Sequence, residues 1–363
     1  MDKNQAQKAL LLLEDGTVFQ GTPLGSRGKA MGTAAFNTSM VGFQEALTTP
    51  ANQGLLLVQT FPLAGNYGIN SLGWESEQVH AAGYIVRECC EAPSNYLCEG
   101  ALEDFLQKHG VVGICGLDTR RLTRHLREKG EQRGMIVSQG PLDPEALLAE
   151  LRAFVPPVPR QTLLAGATAP VGTELSFRVG AADFGMTNSV HAALSSRGIA
   201  LTLFGPGALS QLADQAEAGA LDGILLSDGP EGAYPEALEP IRRLCGTGLP
   251  ILGLSLGHQL LAQAMGMQVS RLKCGHRGAN QPVRQLSTGR TYITTQNHAC
   301  YVDKASVLAE TAEITFQNAN DQTCEGLRYT GFPGISVQFL PDGEAHIHST
   351  AFIYDQFAAA MRK

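Results

Sequence analysis

The second half of the chain alternates strand patterns with helix patterns, and this alternation constrains the fold more than any other feature. Strands are predicted at Phe177–Ala182, Ile199–Phe204, Gly223–Ser227 and Pro250–Leu254, and helices at Asn188–Ser196, Ala208–Ala218, Pro235–Leu244 and His258–Met265. Later strands at Thr291–Thr295 and Gly334–Phe339 precede a closing helix at Ser349–Met361. Strands that alternate with helices of about ten residues form βαβ units. The pattern therefore predicts an α/β fold whose parallel sheet is covered on both faces.

The first half predicts a mixed α/β domain. Leu10–Leu13 and Thr17–Gln20 flank Asp15-Gly16, a favourable hairpin turn because glycine accepts a positive φ. Further strands are predicted at Gly32–Asn37, Leu55–Thr60 and Ala82–Val86, and helices at Leu102–His109, Thr119–Lys129 and Pro144–Phe154. The Pro-rich stretch Val155–Pro159 and the Gly/Thr/Ala-rich segment after it predict a linker. We expect a first domain at residues 1–154, a linker at 155–175 and a second domain at 176–363.

Charge and composition exclude several classes of function. The 363 residues include 27 Lys+Arg and 34 Asp+Glu, a net charge of −7, and a single Trp. Such a chain has no general attraction for nucleic acid or for an anionic membrane. The apolar run Leu10–Leu13 is too short for a signal-peptide core, and no run approaches about 18 apolar residues. We expect a soluble, cytoplasmic protein that binds neither nucleic acid nor membrane.

Cysteine usage points to thiols rather than to cross-links. The eight cysteines are Cys89, Cys90, Cys98, Cys115, Cys245, Cys274, Cys300 and Cys324. None forms a C-x-x-C pair, so buried or half-buried thiols are favoured over a disulfide framework or a zinc site. No metal site is expected on this chain.

A G-x-S-x-G turn follows the strand that ends at Leu254. In Gly253-Leu254-Ser255-Leu256-Gly257, small residues permit the sharp strand-to-helix bend that presents a nucleophile. The N-terminus of the helix that follows favours a developing oxyanion. Topology brings three further loops to this edge of the sheet. They are Ser227–Gly232, Gln296-Asn297-His298 and the stretch after the strand Gly334–Phe339.

These motifs together resemble a known family. The second half carries Gly257-His258-Gln259, Gly275-His276-Arg277-Gly278 and Thr295-Gln296-Asn297-His298, and the first half carries Leu13–Thr17, Phe36–Met40, Gly42–Glu45, Gly65-Asn66 and Leu117–Arg120. The chain resembles the class I glutamine amidotransferases, and more narrowly the small, glutamine-hydrolysing subunit of carbamoyl-phosphate synthase. The resemblance covers nearly the whole chain. It implies a β-rich N-terminal domain and a C-terminal, doubly wound, flavodoxin-like amidotransferase domain.

The resemblance also implies a role and a partner. Family members bind a large synthetase subunit and pass it ammonia through a tunnel, in pyrimidine and arginine biosynthesis. ATP and metal are expected on that large subunit, and no cofactor is expected on this chain.

The catalytic positions depart from the family pattern. The family has Cys where this chain has Ser255, and His-Pro-Glu where it has Leu340-Pro341-Asp342. A serine hydroxyl needs a positioned base, and leucine cannot accept a proton. Loss of a nucleophile or its base costs other hydrolases roughly six orders of magnitude in rate. We therefore expect glutamine hydrolysis to be very weak or absent.

The glutamine pocket also differs from the family pattern. The pocket positions implied by the resemblance are Ala51, Gly229, Glu231, Leu256, Gln259, Asn297, Ala299 and Cys300. Gly229, Leu256, Gln259 and Asn297 keep the family residue, whereas Ala51 stands for a Ser, Glu231 for a Gly, and Ala299-Cys300 for Gly-Phe. These losses place glutamine binding itself in doubt.

Three functions remain open. We favour a subunit that binds and supports a synthetase using free ammonia, with a degenerate site. The alternative is an active amidotransferase in which Ser255 uses an unrecognised base, such as His346 or His348, although a surface position is favoured for both. An unrelated serine hydrolase is disfavoured by the resemblance across the whole chain. His258 and His298 are expected to shape the backbone rather than to titrate in catalysis.

A basic helix face in the first half has two interpretations. Arg120, Arg121, Arg124 and Arg127 lie within the predicted helix Thr119–Lys129. They form either a solvated charged face or a contact with an acidic patch of a large subunit.

Overall fold

The computed structural model describes residues 8–140, 143–156, 176–341 and 350–362. They divide into two compact units: one contains the described residues up to 156 with Lys273–Gly275, and the other contains the remaining residues. Apart from Val155 and Pro156, the predicted linker lies outside the described residues. The two units are described separately.

The first unit contains a closed barrel. Its strands are β1 (Ala9–Leu13), β2 (Val18–Gly25), β3 (Lys29–Asn37), β4 (Leu55–Gln59), β5 (Leu63–Ala64), β6 (Gly83–Ile85), β7 (Glu88–Cys89), β8 (Val112–Cys115) and β9 (Gln132–Val137). Its helices are α1 (Phe43–Thr48), α2 (Leu102–Lys108), α3 (Thr119–Lys129) and α4 (Pro144–Ala153). The barrel closes in the order β1-β2-β8-β6-β4-β3-β9, while β5 pairs with β7. Closure removes the unpaired edges that an open sheet would expose.

Helix α3 shows how sequence signals fix an element in this unit. Asp118 caps the helix by accepting a hydrogen bond from the Arg121 N–H at 2.9 Å. Leu122 and Leu126 are fully buried one turn apart. Gly130 ends the helix at φ 98°, in the left-handed region that glycine enters without strain. These bounds are the predicted ones.

The opposite face of α3 is polar and exposed. Part of its basic set lines a surface groove of about 570 Å³ with Arg87, Thr60 and Pro62. The Arg121 guanidinium lies 5.0 Å from the Phe19 ring centroid, which is cation–π geometry.

The second unit is built on one sheet. Its strands are β10 (Phe177–Ala182), β11 (Ile199–Phe204), β12 (Gly223–Leu226), β13 (Ile251–Leu254), β14 (Val269–Gln285), β15 (Thr291–Val302), β16 (Ala312–Asn318), β17 (Cys324–Tyr329) and β18 (Gly334–Val337). Its helices are α5 (Asn188–Ser195), α6 (Leu209–Glu217), α7 (Pro235–Gly246), α8 (Leu256–Ala264) and α9 (Phe352–Ala360). The sheet runs β11-β10-β12-β13-β18-β17-β16-β14-β15.

The first five strands of this sheet are parallel, and helices cover both faces. Leu212, Ile241 and Leu260 of α6, α7 and α8 belong to one buried apolar cluster. Val190 of α5 and Phe357 of α9 belong to a second. The predicted doubly wound α/β fold is confirmed in this part of the chain.

The other four strands form an antiparallel extension that was not predicted as such. Gln296-Asn297-His298, expected as a loop, lies inside β15 and pairs with β14 in the register His276↔His298. The loop prediction was wrong because polar residues alternate along β15 without an apolar face. Their partners come from β14, the strand that precedes β15 in a hairpin, and from Glu325 of β17.

The eight cysteines are free thiols, with Cys324 buried and the other seven half-buried. In the described ranges, no helix is long and apolar enough to cross a bilayer.

Candidate active site

Ser255 occupies a strained turn between β13 and α8. Its φ of 49° and ψ of −102° lie outside the regions that L-residues prefer. Such a conformation costs about 1–3 kcal/mol and persists only where the surroundings enforce it. The Ser255 side chain makes no capping hydrogen bond to α8, and the residue is 5% exposed. This is the geometry of a nucleophile elbow, with the hydroxyl left out of the helix cap.

Two glycines allow the elbow to pack closely against the strands on either side of it. A Cβ on Gly257 would lie 2.1 Å from the Leu226 carbonyl oxygen, and one on Gly253 would lie 3.0 Å from Ser336 Cβ. The Gly257 N–H donates to the Ser227 carbonyl at 3.0 Å, and the Ser255 N–H donates to the Val337 carbonyl at 2.9 Å. The backbone thus ties the elbow to both neighbouring strands.

Leu340 lies on the same edge of the sheet as Ser255. Strands β13 and β18 are parallel neighbours in the register Leu254↔Val337, so the residues that follow them leave the sheet side by side. The Leu340 N–H donates to the Thr295 carbonyl at 2.9 Å, and its half-buried side chain packs against an apolar cluster. An apolar side chain therefore lies at this edge of the sheet, at the position that the family resemblance predicts for a base. Asp342, His346 and His348 lie outside the described residues.

His258 is close to Ser255 in sequence, but its ring is held by the sheet. Its Nδ1 lies 2.8 Å from Ser336 Oγ, and the residue is fully buried. Burial lowers the pKa of His258 to about 3, so the ring is neutral at physiological pH. Its Nε2 atom has no hydrogen-bond partner among the described residues. A base with so low a pKa is a poor acceptor for a serine proton.

His298 is also engaged. Its Nδ1 lies 2.7 Å from the Cys300 carbonyl oxygen and its Nε2 lies 2.9 Å from Gln296 Oε1. Burial, followed by the charge of His276, holds its pKa well below the usual range. Both ring nitrogens face oxygen atoms of β15, so neither is directed to Ser255.

A buried polar network supports this part of β15. His276 Nε2 lies 2.9 Å from an Asp321 carboxylate oxygen, and His276 Nδ1 lies 3.6 Å from buried Glu325. Gln296 Nε2 donates to Glu325 at 3.0 Å. Burial alone would lower the pKa of His276, but its bonds to Asp321 and Glu325 raise it to about 9. Donor atoms of His276, His298 and Glu325 lie within 4.8 Å of one another, a spacing that a metal ion could bridge.

The predicted pocket positions of the second unit converge around Gln259. The Gln259 Nε2 donates to the Cys300 carbonyl at 3.1 Å and to Gln338 Oε1 at 3.2 Å. The N–H groups of Ala299 and Cys300 each donate to Glu231 Oε1 at 2.7 Å. The sequence predicts Glu231, Gln259, Ala299 and Cys300 as pocket positions but contains no signal for their mutual contacts or for the part played by Gln338.

Four pocket positions have other surroundings. Leu256 is the first residue of α8 and is 2% exposed. A Cβ on Gly229 would lie 2.5 Å from the Phe184 carbonyl oxygen, so only glycine fits there. Asn297 is half-buried on β15, and its Nδ2 has no hydrogen-bond partner within the part of the chain described. Ala51 lies in the first unit, in the 3₁₀ turn Pro50–Asn52.

Cys300 is the thiol of this pocket. Burial first, and then the charge of Glu231, raise its pKa to about 11. At neutral pH it is a protonated thiol, whereas the thiolate is the nucleophile. Cys300 therefore does not replace the missing elbow cysteine.

Two family models match the chain. Residues 11–136 match the CPSase domain of the carbamoyl-phosphate synthase small chain, and residues 181–360 match class I glutamine amidotransferase. The fold and elbow of the second unit are therefore those of a class I glutamine amidotransferase domain.

Three relatives that match over nearly the whole chain are each named carbamoyl phosphate synthase small chain. The carbamoyl phosphate synthase small chain of Syntrophotalea carbinolica is 40% identical in an alignment of 376 positions that covers 98% of each chain. That of Rhodopirellula baltica is 39% identical and covers 100% of this chain and 98% of its own, and that of Methanopyrus kandleri is 38% identical over 98% and 99%. The chain belongs to the carbamoyl-phosphate synthase small chain family.

Proposed function

We propose that this chain is a carbamoyl-phosphate synthase small subunit whose glutaminase is very weak or lost. The observation that carries the proposal is the pair of residues at the ends of two adjacent parallel strands: Ser255 after β13 and Leu340 after β18. A hydroxyl stands at the nucleophile position, and an alkyl side chain stands at the position of its base. Neither group can start attack on a carboxamide without help.

Neither described histidine of the elbow region supplies that help. The ring of His258 bonds Ser336, and both ring nitrogens of His298 face oxygens of β15. Ser255, Leu340 and Asp342 are thus proposed as the positions of the family triad, with the first two substituted.

The proposed role is to bind a large synthetase subunit and support its reaction with ammonia. Membership of the small-chain family supports such a partner, and the retained barrel and sheet leave the framework for it intact. ATP and metal are assigned to the large subunit, and the pathway is pyrimidine or arginine biosynthesis. The basic face of α3, with Arg87, Arg120, Arg124 and Arg127 around one groove, is a candidate contact for acidic groups of that subunit.

A second candidate is an active amidotransferase that uses Ser255. The strained elbow favours it, because the turn keeps the shape that presents a nucleophile. It requires a base from outside the described residues, with His346 and His348 as the candidates.

Reconstitution with a large subunit tests the proposal. The two chains are co-purified, and carbamoyl-phosphate synthesis is then measured with ammonium or with glutamine as the nitrogen source. We expect a stable complex and synthesis with ammonium only. Synthesis with glutamine that disappears in Ser255→Ala would establish the second candidate instead.

A further inference from the structure

The N–H groups of Ala299 and Cys300 form a binding site for a carboxylate, which we call the cradle, beside Gln259 on the first turn of α8. The side chain of Glu231 fills this cradle. Glu231 Oε1 accepts hydrogen bonds from the N–H groups of both Ala299 and Cys300, each at 2.7 Å. The amide Nε2 of Gln259 lies at 3.5 Å from the same oxygen, a long contact. The other carboxylate oxygen lies 3.9 Å from an Arg271 nitrogen. Each of these groups favours an anion.

The two N–H groups converge because β15 departs from a regular ladder. In a regular strand, successive N–H groups point to opposite sides, so neighbours cannot share one acceptor. The pairing of β14 with β15 shifts register between Arg271 and His276, opposite Ala299 and Cys300. Consecutive N–H groups that turn to the same side form a concave anion-binding site. The shape of the backbone, rather than any side chain of β15, creates the cradle.

The cradle lies beside the elbow. Gln259 is four residues after Ser255 on α8, and the Gln259 N–H donates to the Ser255 carbonyl at 3.2 Å. Side chains four apart on a helix share one face. A ligand whose carboxylate sat on Ala299 and Cys300 would thus extend toward the Ser255 hydroxyl. That is the arrangement an α-amino acid with a reactive end group would take.

We propose that Glu231 is a built-in ligand that closes this subsite against the carboxylate of a free amino acid. The inference deepens the proposed function: the glutaminase site would be disabled in binding as well as in chemistry. Glu231 comes from the loop after β12, 68 residues before Ala299, and its side chain is only 17% exposed. A free amino acid must displace a carboxylate that is already held and already desolvated.

Calorimetry on the full chain tests this directly. Wild type, Glu231→Ala and Glu231→Gln are titrated with glutamine, glutamate and 4-aminobutanamide, which is glutamine without its carboxylate. Glu231→Ala empties the cradle, and we expect it to bind glutamine and glutamate roughly tenfold more tightly than wild type or better, as charge-assisted bonds to a carboxylate allow. Glu231→Gln keeps an acceptor oxygen in the cradle and should gain little. 4-Aminobutanamide should gain nothing in any variant.

Glu236→Ala is the matched control, because Glu236 is exposed on the adjacent helix α7. The inference is overturned if Glu231→Ala gains no more affinity than Glu236→Ala, or if 4-aminobutanamide gains as much as glutamine. If Glu231→Ala fails to fold, amide NMR of Glu231→Gln decides: the Ala299 and Cys300 N–H resonances must shift from their wild-type positions. Unchanged resonances would contradict the contact.

The two proposals fail separately. A wild-type chain that binds glutamine tightly without hydrolysing it overturns the closed subsite and leaves the glutaminase-deficient function standing. A wild-type chain that hydrolyses glutamine through Ser255 overturns both.

Discussion

The elbow and the groups around it have different relations to function. At the elbow, Gly253, Ser255 and Gly257 keep a strained turn that serves to present a nucleophile. Around it, Leu340 and Glu231 lie at the positions that we propose for a base and for the glutamine pocket. The elbow glycines are fixed by packing, since a Cβ on Gly257 would overlap the Leu226 carbonyl oxygen at 2.1 Å. No such overlap fixes Leu340 or Glu231, whose proposed importance lies in the chemistry of the site.

This difference gives a physical reason why the framework would persist under the proposed loss of glutaminase activity. A side chain at Gly257 would overlap the backbone of the sheet, whereas a change at position 340 alters one half-buried side chain. Leu340 even gains contact with a buried apolar cluster. The elbow would therefore be retained under the proposed loss of glutaminase activity.

The largest expected effect is a gain of glutaminase activity from restoring the chemical groups. Ser255→Cys with Leu340→His and Glu231→Gly supplies a nucleophile, a base and an open pocket. We expect glutamate release to rise about 10²–10⁴-fold over the double variant Ser255→Cys with Glu231→Gly, the usual contribution of a positioned general base. The measurement is glutamate formation in the complex with a large subunit.

Leu340→Gln is the control for that experiment, because it is polar but cannot act as a base at neutral pH. A triple variant with Gln at position 340 should stay at the level of the double variant Ser255→Cys with Glu231→Gly. Equal activity with Gln and His would show that Leu340 is not at the position of the base.

A smaller effect is expected from adding a side chain at an elbow glycine. Gly257→Ala forces a methyl group against the Leu226 backbone, and overpacking of this kind costs about 3 kcal/mol. Chemical denaturation of the full chain measures it. Gly246→Ala, at the exposed end of α7 with open space around it, should change stability by less than about 1 kcal/mol. A tolerated Gly257→Ala would contradict the packing account of the elbow.

The smallest effect concerns the polar network behind β15. Bonds to Asp321 and Glu325 raise the pKa of His276 to about 9, above its ordinary value of about 6.5. A raised pKa gives stability that is full below about pH 6.5 and is lost as the pH rises through about 9. Asp321 supplies part of this stability. Because its side chain is 40% exposed, solvent screening reduces the contribution of its ion pair with His276.

Asp321→Asn should cost about 1 kcal/mol at pH 6 to 7 and flatten the loss of stability between pH 7 and 9. Chemical denaturation across that range measures both. Asp104→Asn removes the same charge from an exposed position on α2 and should leave the slope unchanged. An unaltered slope of stability against pH in Asp321→Asn would show that the His276–Asp321 ion pair does not contribute to stability.

Elements whose structure depends on nearby residues could be predicted from the sequence. Helix α3 has its cap at Asp118 and its end at Gly130, and both could be read from the chain. The G-x-S-x-G turn likewise depends on five adjacent residues. The family resemblance then named the pocket positions. The predicted domain limits stay a prediction, because most of the linker lies outside the described residues.

Long-range pairing explains what the sequence analysis missed. The contact of Glu231 with Ala299 joins residues 68 apart, and that of Gln259 with Gln338 joins residues 79 apart. The long strand β14 contains polar and charged residues throughout, so no alternation marked it as a strand. Such features follow from the register of the sheet, which no local pattern contains.

The most direct test of the central claim is glutamine hydrolysis by the reconstituted complex, compared between wild type and Ser255→Ala. The account predicts that both release glutamate at the same background rate, because no residue in the described part of the chain serves Ser255 as a base. A wild-type rate well above that of Ser255→Ala would show an active serine nucleophile and contradict the account.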